Sequence, residues 1–85
     1  MLAACAREPE TKQVRGLIVN VAAASITQLE ALELRTDDGQ LLRFRVEGDV
    51  GITPSHSREH MVLAEPVTVT YRDTPDGRLA LRVDD

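Results

Sequence analysis

The chain has 85 residues, which is enough for one small domain and too few for a large catalytic framework. Hydrophobic residues make up 42% of it, but there is one Phe, one Tyr and no Trp, so we expect a core of Val, Leu, Ile and Ala, which suits β-strands. The net charge of −4 disfavours a nucleic acid partner, and the single cysteine, Cys5, excludes an internal disulfide and any multi-cysteine metal site.

The first thirteen residues differ in character from the rest of the chain. Residues 2–5 (LAAC) match a lipobox, the segment at which bacterial lipoprotein precursors are cleaved and lipidated, which predicts lipidation of Cys5. Residues 6–13 are polar and include Pro9, as expected of a tether. Because a secretion signal needs more than the four residues before Cys5, we expect that Met1 is not the true start; the alternative is a cytosolic protein with an exposed thiol.

The rest of the chain, residues 14–85, is predicted to form one domain of β-strands. Apolar and polar residues alternate there in short runs separated by turn signals, the pattern of strands with one solvent-exposed face. Strands are predicted over residues 14–21, 29–36, 42–46, 67–71 and 79–83. Gly16 allows the first strand to bend, and the break in alternation at Leu29 predicts either a bulge or a late strand start near Glu30.

The first predicted hairpin joins the second and third strands. Opposite residues of an antiparallel pair share a face, so Leu34 is expected to lie opposite Leu42. This register leaves residues 37–39 as a three-residue loop, in which Gly39 supplies the left-handed conformation.

The last predicted hairpin follows the same reasoning. Pairing Tyr71 with Leu79 and Val69 with Leu81 directs both leucines inward and leaves residues 73–77 as the loop. Ala80 then faces outward, and the acidic residues 84–85 are expected to be solvated.

A short helix is predicted between the third and fourth strands. Thr53 can cap it, Pro54 suits its first position, and residues 55–63 can follow before Pro66 prevents continuation. We expect the apolar residues near its end, Met61 and Leu63, to fill the mouth of the barrel. Three strands, a helix and two strands is the order of an all-β, five-stranded, OB-like Greek-key barrel.

The helix also carries the polar residues that could support chemistry. His56, Glu59 and His60 share one helix face and match the H-x-x-E-H pattern of inverted zinc proteases. A zinc enzyme also needs a distant third ligand and a substrate cleft, which so short a chain can hardly supply. We therefore predict no catalytic residues, no cofactor and no metal site, with His56 and His60 as secondary metal candidates. The favoured interpretation is that these side chains hydrogen-bond to neighbouring loops.

The exposed face of the second and third strands offers three arginines, Arg35, Arg43 and Arg45. OB domains that bind single-stranded nucleic acid combine such a basic face with aromatic side chains that stack on bases. Here Glu33 and Glu47 share the face, and no aromatic residue points outward. The sequence therefore disfavours nucleic acid binding.

Residues 53–60 (TPSHSREH) and 65–71 (EPVTVTY) resemble corresponding stretches of an uncharacterised group of small bacterial envelope proteins with OB-like barrels. The resemblance covers residues 14–85 and implies an OB-like fold and an extracytoplasmic, lipid-anchored location. This chain departs from the group at Ser57, where an apolar residue is expected, and at Ile52, where an aromatic residue is expected.

Three functional hypotheses follow from the sequence. The favoured one is a monomeric, non-enzymatic binding or accessory module at the bacterial envelope, in contact with the membrane only through lipidated Cys5. The alternatives are a cytosolic domain that binds single-stranded nucleic acid and a metal-binding or metal-dependent protein using the two histidines. An unknown protein or small ligand would contact either the arginine face or the helix end, represented by His56, Arg58, Glu59 and His60.

Overall fold

A computed structural model of the protein describes residues 10–85, so Cys5 and the lipobox lie outside the described residues. The described part contains five strands and one helix. They are β1 (Lys12–Ala23), β2 (Leu29–Arg35), β3 (Leu41–Val46), α1 (Pro54–Leu63), β4 (Val67–Thr74) and β5 (Gly77–Asp84). The first strand thus begins two residues before the predicted start of the domain and includes the end of the predicted tether.

The strands form a closed barrel in the order β1-β2-β3-β5-β4, in which β1 also pairs with β4. Every neighbouring pair is antiparallel except β3 and β5, which are parallel. This closed barrel, with the helix between β3 and β4, confirms the predicted all-β, OB-like fold.

β1 contributes to both sides of the barrel by changing partner at Gly16. Residues up to Gly16 pair with β4, and residues from Leu17 onwards pair with β2. A Cβ atom on Gly16 would lie 2.6 Å from the carbonyl oxygen of Arg35, closer than real Cβ contacts allow. Glycine is therefore required here because the backbone of β2 approaches the strand closely.

The core is aliphatic, as the composition predicts. The aromatic exception is Phe44, which is fully buried and packs edge-on against Tyr71, with ring centroids 5.1 Å apart. Buried apolar side chains from all five strands and from the loop after β3 fill the barrel: Ile18, Leu29, Leu32, Leu34, Phe44, Val46, Val50, Val67, Val69, Ala80 and Val83.

The β2–β3 hairpin confirms the predicted register, because Leu34 pairs with Leu42 and Gly39 has a φ of 88°. The bulge is also confirmed. Ala22 pairs with Ala31 and Ala23 pairs with Leu29, which leaves Glu30 between them without a partner on β1.

The predicted register of the β4–β5 hairpin is wrong. Tyr71 pairs with Ala80 and Val69 pairs with Val83, so Leu81 is an extra residue in a bulge. The bulge interrupts the alternation of faces, with the result that Ala80 is 1% exposed and Leu81 is 37% exposed.

The loop of this hairpin is also shorter than predicted. Thr74 pairs with Gly77, so the turn consists of residues 75–76 and both strands continue into the stretch expected to be loop. The Thr74 hydroxyl explains the tighter turn, because it donates to the Gly77 carbonyl at 2.6 Å and accepts from the Asp76 N–H at 3.3 Å.

The helix confirms the predicted start. Thr53 caps it, and its Oγ1 accepts from the His56 N–H at 3.2 Å. Met61 packs against the core, but Leu63 is exposed, so its predicted place in the barrel mouth is wrong. Leu63 lies about two and a half turns after the buried Pro54 and therefore points to the opposite side of the helix. Within residues 10–85, no helix combines the length and apolar character needed to cross a membrane.

The bulge in β5 predicts unequal costs for two alanine substitutions in that strand. We expect Leu81→Ala to lower the free energy of unfolding by less than about 1 kcal/mol, because the side chain is partly solvated outside the core. Val83→Ala removes fewer atoms but should cost about 2 kcal/mol, because Val83 is in the core. Urea unfolding of both variants measures the difference. A cost of Leu81→Ala equal to or above that of Val83→Ala would contradict the bulged register.

Candidate functional site

The polar residues of α1 lie at one end of the barrel, here called the helix end. Because β5 runs parallel to β3, and β1 runs in the same direction as both, all three strands finish at this end. The helix end therefore combines residues 24–28 after β1, residues 47–53 after β3, the helix itself and the end of β5.

Two histidines of α1 and an aspartate after β5 converge there. His56 and His60 are one turn apart, and their rings stack with centroids 4.9 Å apart and an angle of 17° between the planes. Their Nε2 atoms are 3.1 Å from each other. The Asp85 Oδ2 atom lies 3.0 Å from Nε2 of His60 and 3.2 Å from Nε2 of His56. We call these three residues the His–His–Asp cluster.

The end of the helix fixes the orientation of the buried His60 ring. Ala64 adopts a left-handed conformation with a φ of 55°, which lets the Glu65 N–H donate to the backbone carbonyl of His60 at 2.9 Å. The Glu65 carbonyl oxygen lies 3.3 Å from Nδ1 of the His60 side chain. Since a carbonyl can only accept, Nδ1 carries the proton of this contact and Nε2 faces the cluster.

The contacts of the cluster shift two pKa values. Burial is the largest influence on His60 and lowers its pKa, but hydrogen bonds to Asp85 and to the Glu65 carbonyl, with the charges of both carboxylates, outweigh it and raise the pKa overall. The hydrogen bond with His60, followed by one from its own backbone and one with His56, lowers the pKa of Asp85. A charged pair of His60 and Asp85 is therefore stabilised in the fold.

Ser57 lies on the buried side of the helix. It is fully buried, and its Oγ donates to the Thr53 carbonyl at 2.8 Å. The hydrogen bond satisfies the hydroxyl, which explains how a serine occupies a position where an apolar residue is expected. Ile52, the other departure from the expected pattern, is partly buried against the core.

The structure brings together some of the predicted site residues and separates others. His56 and His60 lie together, whereas Arg58 and Glu59 are exposed and are not members of the cluster. Asp85 was expected to be solvated; its side chain is 56% exposed but contacts both histidines. No local signal points to Asp85, because it is 25 residues from His60 and reaches it only through the course of β5.

The three arginines of the β2–β3 face are not equally available. Arg35 and Arg43 are exposed. Arg45 is partly buried, and its guanidinium donates to Glu47 at 2.5 Å and to the hydroxyl of Thr74 at 3.0 Å. A shallow depression of about 270 Å³ lies beside Arg43 and Arg45. The basic face thus has one of its three guanidinium groups already engaged by the protein.

A larger groove, of about 550 Å³, lies at the helix end between residues 27–29, residues 48–53 and His56. Hydrogen bonds fix its walls. The Gln28 amide donates to the carbonyls of Gly48 at 2.7 Å and Leu29 at 2.8 Å, which ties the loop after β1 to the loop after β3. The Val83 N–H donates to the Val50 carbonyl at 2.8 Å, which ties the second loop to β5.

Comparison of the chain with protein-family models, with curated proteins and with solved structures finds no match. The resemblance to small bacterial envelope proteins therefore stays a prediction based on residues 53–60 and 65–71. Function has to be inferred from the geometry of the described residues.

The pKa shifts of the cluster predict a specific pH dependence of stability. The raised pKa of His60 adds stability that is complete below the ordinary histidine pKa, about 6.5, and is lost as the pH rises through the folded value. The lowered pKa of Asp85 adds stability that is complete above the ordinary aspartate pKa, about 3.9, and is lost as the pH falls through the folded value. Together, the two groups stabilise the fold most between about pH 4 and 6.5.

We expect the free energy of unfolding to fall more between about pH 5.5 and 8.5 in the unmodified protein than in Asp85→Asn, because the variant lacks the charged partner of His60. Urea unfolding in chelator-treated buffer measures this. Asp84→Asn is the matched control, since Asp84 bonds Arg82, which stays charged throughout this range. If the stability of Asp85→Asn and of the wild-type protein depends on pH in the same way, the stabilising His60–Asp85 pair is contradicted.

Proposed function

We propose that the protein is a non-enzymatic binding module, held at the bacterial cell envelope by lipidated Cys5, that binds a small polar ligand at the helix end. The groove beside His56 is the observation that carries this proposal. Its volume of about 550 Å³ is within the range of small-molecule sites, roughly 300–1,000 Å³. Leu29 and Ile52 supply apolar contacts, while Thr27 and Thr53 offer hydroxyl groups.

The hydrogen bonds that frame the groove support a preformed site. Gln28 ties the loop after β1 to the loop after β3, and Val50 ties the second loop to β5. Gly51 donates from its N–H to Oδ1 of Asp49 at 2.8 Å, which holds the tip of the second loop. A ligand that enters such a groove loses little free energy to the ordering of loops.

The course of β1 relates the groove to the proposed membrane anchor. β1 begins at Lys12, beside the β4–β5 turn, where its ammonium group pairs with Asp73 at 2.6 Å. It ends at the loop that lines the groove. The chain from Cys5 to Lys12 can span at most about 25 Å. A lipid on Cys5 would therefore be attached to the barrel at the end opposite the groove.

The helix end is a better candidate surface than the arginine face. Arg45 is committed to Glu47 and Thr74, and Glu47 adds negative charge beside it. Glu59, the residue that would act as the base in an inverted zinc protease, is exposed and outside the His–His–Asp cluster. Both observations favour a binding role at the helix end.

The anchor is tested by Cys5→Ser in the protein expressed from its own bacterial gene. We expect the wild-type protein in the membrane fraction as a lipidated form cleaved before Cys5, and the variant as an uncleaved precursor of higher mass, because a serine hydroxyl cannot take the place of the lipidated thiol. A second readout is the incorporation of labelled palmitate, which is expected in the wild-type protein and not in the variant. A soluble protein with Cys5 intact would contradict the envelope location.

The groove is tested by NMR titration with a panel of N-acetyl amino acid amides and monosaccharides in chelator-treated buffer. A ligand that binds should shift the amide resonances of residues 27–28 and 48–53. Thr27→Trp should abolish binding, because the indole would fill the groove from its exposed rim. Glu30→Trp, which adds the same ring on the β2–β3 face, should leave the affinity unchanged.

The same NMR experiment with an oligothymidylate at low salt tests the nucleic acid alternative. Shifts centred on Arg35 and Arg43 that disappear with added salt would contradict the groove proposal and support binding of single strands by the arginine face. Shifts confined to the groove after addition of the small-molecule panel, with none from the oligonucleotide, support the proposal.

A further inference from the structure

The three donor atoms of the His–His–Asp cluster form a nearly equilateral triangle. Its sides are 3.1 Å between the two Nε2 atoms, 3.0 Å from His60 to Asp85 and 3.2 Å from His56 to Asp85. Zinc ligands lie about 2.0–2.1 Å from the ion, so two ligands of a tetrahedral site are ~3.3 Å apart. The triangle therefore has nearly the size of one face of a zinc coordination tetrahedron.

When His60 is neutral, hydrogen bonding among the three residues leaves the triangle incompletely satisfied. A charged His60 ring can donate from Nε2 to Asp85, but in the neutral ring Nδ1 holds the proton toward the Glu65 carbonyl. Nε2 and the Asp85 carboxylate are then two acceptors that face each other. One proton on Nε2 of His56 cannot bridge all three contacts. A cation bound by the three donor atoms satisfies them at once.

The surroundings of His60 match those of metal-binding histidines. Such residues almost always donate the second ring N–H to a carboxylate or a backbone carbonyl, which orients the ring and raises its basicity. His60 has this arrangement with the Glu65 carbonyl, and Glu65 is itself fixed by the helix cap. The His60 side chain is 8% exposed, so packing holds its position before any ion binds.

We propose that His56, His60 and Asp85 bind a divalent transition-metal ion of the zinc type, with an open coordination position beside the groove. The part of this inference that concerns the groove rests on the proposed function, in which the groove binds a ligand. Two imidazoles and one carboxylate suit Zn²⁺, Ni²⁺ or Cu²⁺, whereas Mg²⁺ and Ca²⁺ prefer oxygen ligands throughout. Three protein ligands leave the fourth tetrahedral position for water or a ligand.

His56 is the adjustable member of the set. The stacked rings hold their lone pairs in two nearly parallel planes, so a shared ion requires one ring to turn. His56 can turn because its side chain is 47% exposed and its terminal torsion is soft. It also lines the groove, which places the open position of the ion where a groove ligand can reach it.

The test is calorimetric titration of the full, EDTA-stripped chain with zinc chloride. We expect one ion per chain and a dissociation constant in the micromolar range or tighter. His56→Ala and Asp85→Asn should each weaken binding at least about tenfold, whereas Glu59→Gln, which makes the same carboxyl-to-amide change outside the cluster, should alter it less than about twofold. Circular dichroism of each variant checks that the barrel is retained, and the two targeted side chains are about half exposed.

NMR provides a second readout that does not depend on the variants. Zinc should shift the Nε2 resonances of both histidines while Nδ1 of His60 stays protonated toward the Glu65 carbonyl. With Co²⁺ in place of zinc, acetohydroxamate should change the visible spectrum if the fourth position is open. An unchanged spectrum would contradict the open position.

Absence of saturable zinc binding, equal weakening by Asp85→Asn and Glu59→Gln, or unmoved histidine resonances would overturn the metal site. Since the small-molecule titration of the groove is done without metal, its result is separate. If a small molecule binds the groove but zinc does not bind, the groove proposal is supported and the metal site is rejected. If zinc binds but no small molecule binds in its absence, the metal site is supported and ligand binding by the metal-free groove is rejected.

Discussion

The parallel pairing of β3 with β5 is the constraint on which the helix end depends. An antiparallel partner of β3 would finish at the opposite end of the barrel, whereas β5 finishes where β3 finishes, next to α1. The Val83 N–H extends the contact by bonding the Val50 carbonyl in the loop after β3. Asp85 consequently reaches two histidines that precede it by more than twenty residues.

The second constraint is the way in which α1 is held at both ends. Thr53 caps its start through the side chain and also accepts the hydroxyl of Ser57 through its carbonyl. The left-handed Ala64 closes the other end and directs Glu65 back to His60. Residues that terminate the helix thus also orient its polar face, so the cluster depends on the same hydrogen bonds that define the helix.

Local patterns predicted most of the fold. The alternation around Leu34, the glycine of the first hairpin and the Thr53–Pro54 start of the helix each express a preference of the backbone itself, and each is confirmed. The prediction was wrong in β5, where alternation placed Leu81 inward. Packing decides that position: the small Ala80 occupies the core, and the extra residue is accommodated by a bulge.

The site could be predicted in part, because some of its contacts are local in sequence. His56 and His60 are one helical turn apart, so their proximity follows from the helix alone. Asp85 joins them only through the pairing of β5 with β3, and its separation of 25 residues from His60 gives no sign of the contact. Arg45 is a similar case, since the hydroxyl that engages its guanidinium belongs to Thr74, 29 residues away.

The central position of β5 between β3 and β4 also bears on how the molecule reaches its native state during synthesis. Until β5 has left the ribosome, β3 and β4 each have one free edge, so the cylinder cannot close. Pairs between distant segments must then form late, which is typical of slowly folding β-proteins. The nascent chain would carry an open sheet edge until β5 is available and would become a closed structure only then.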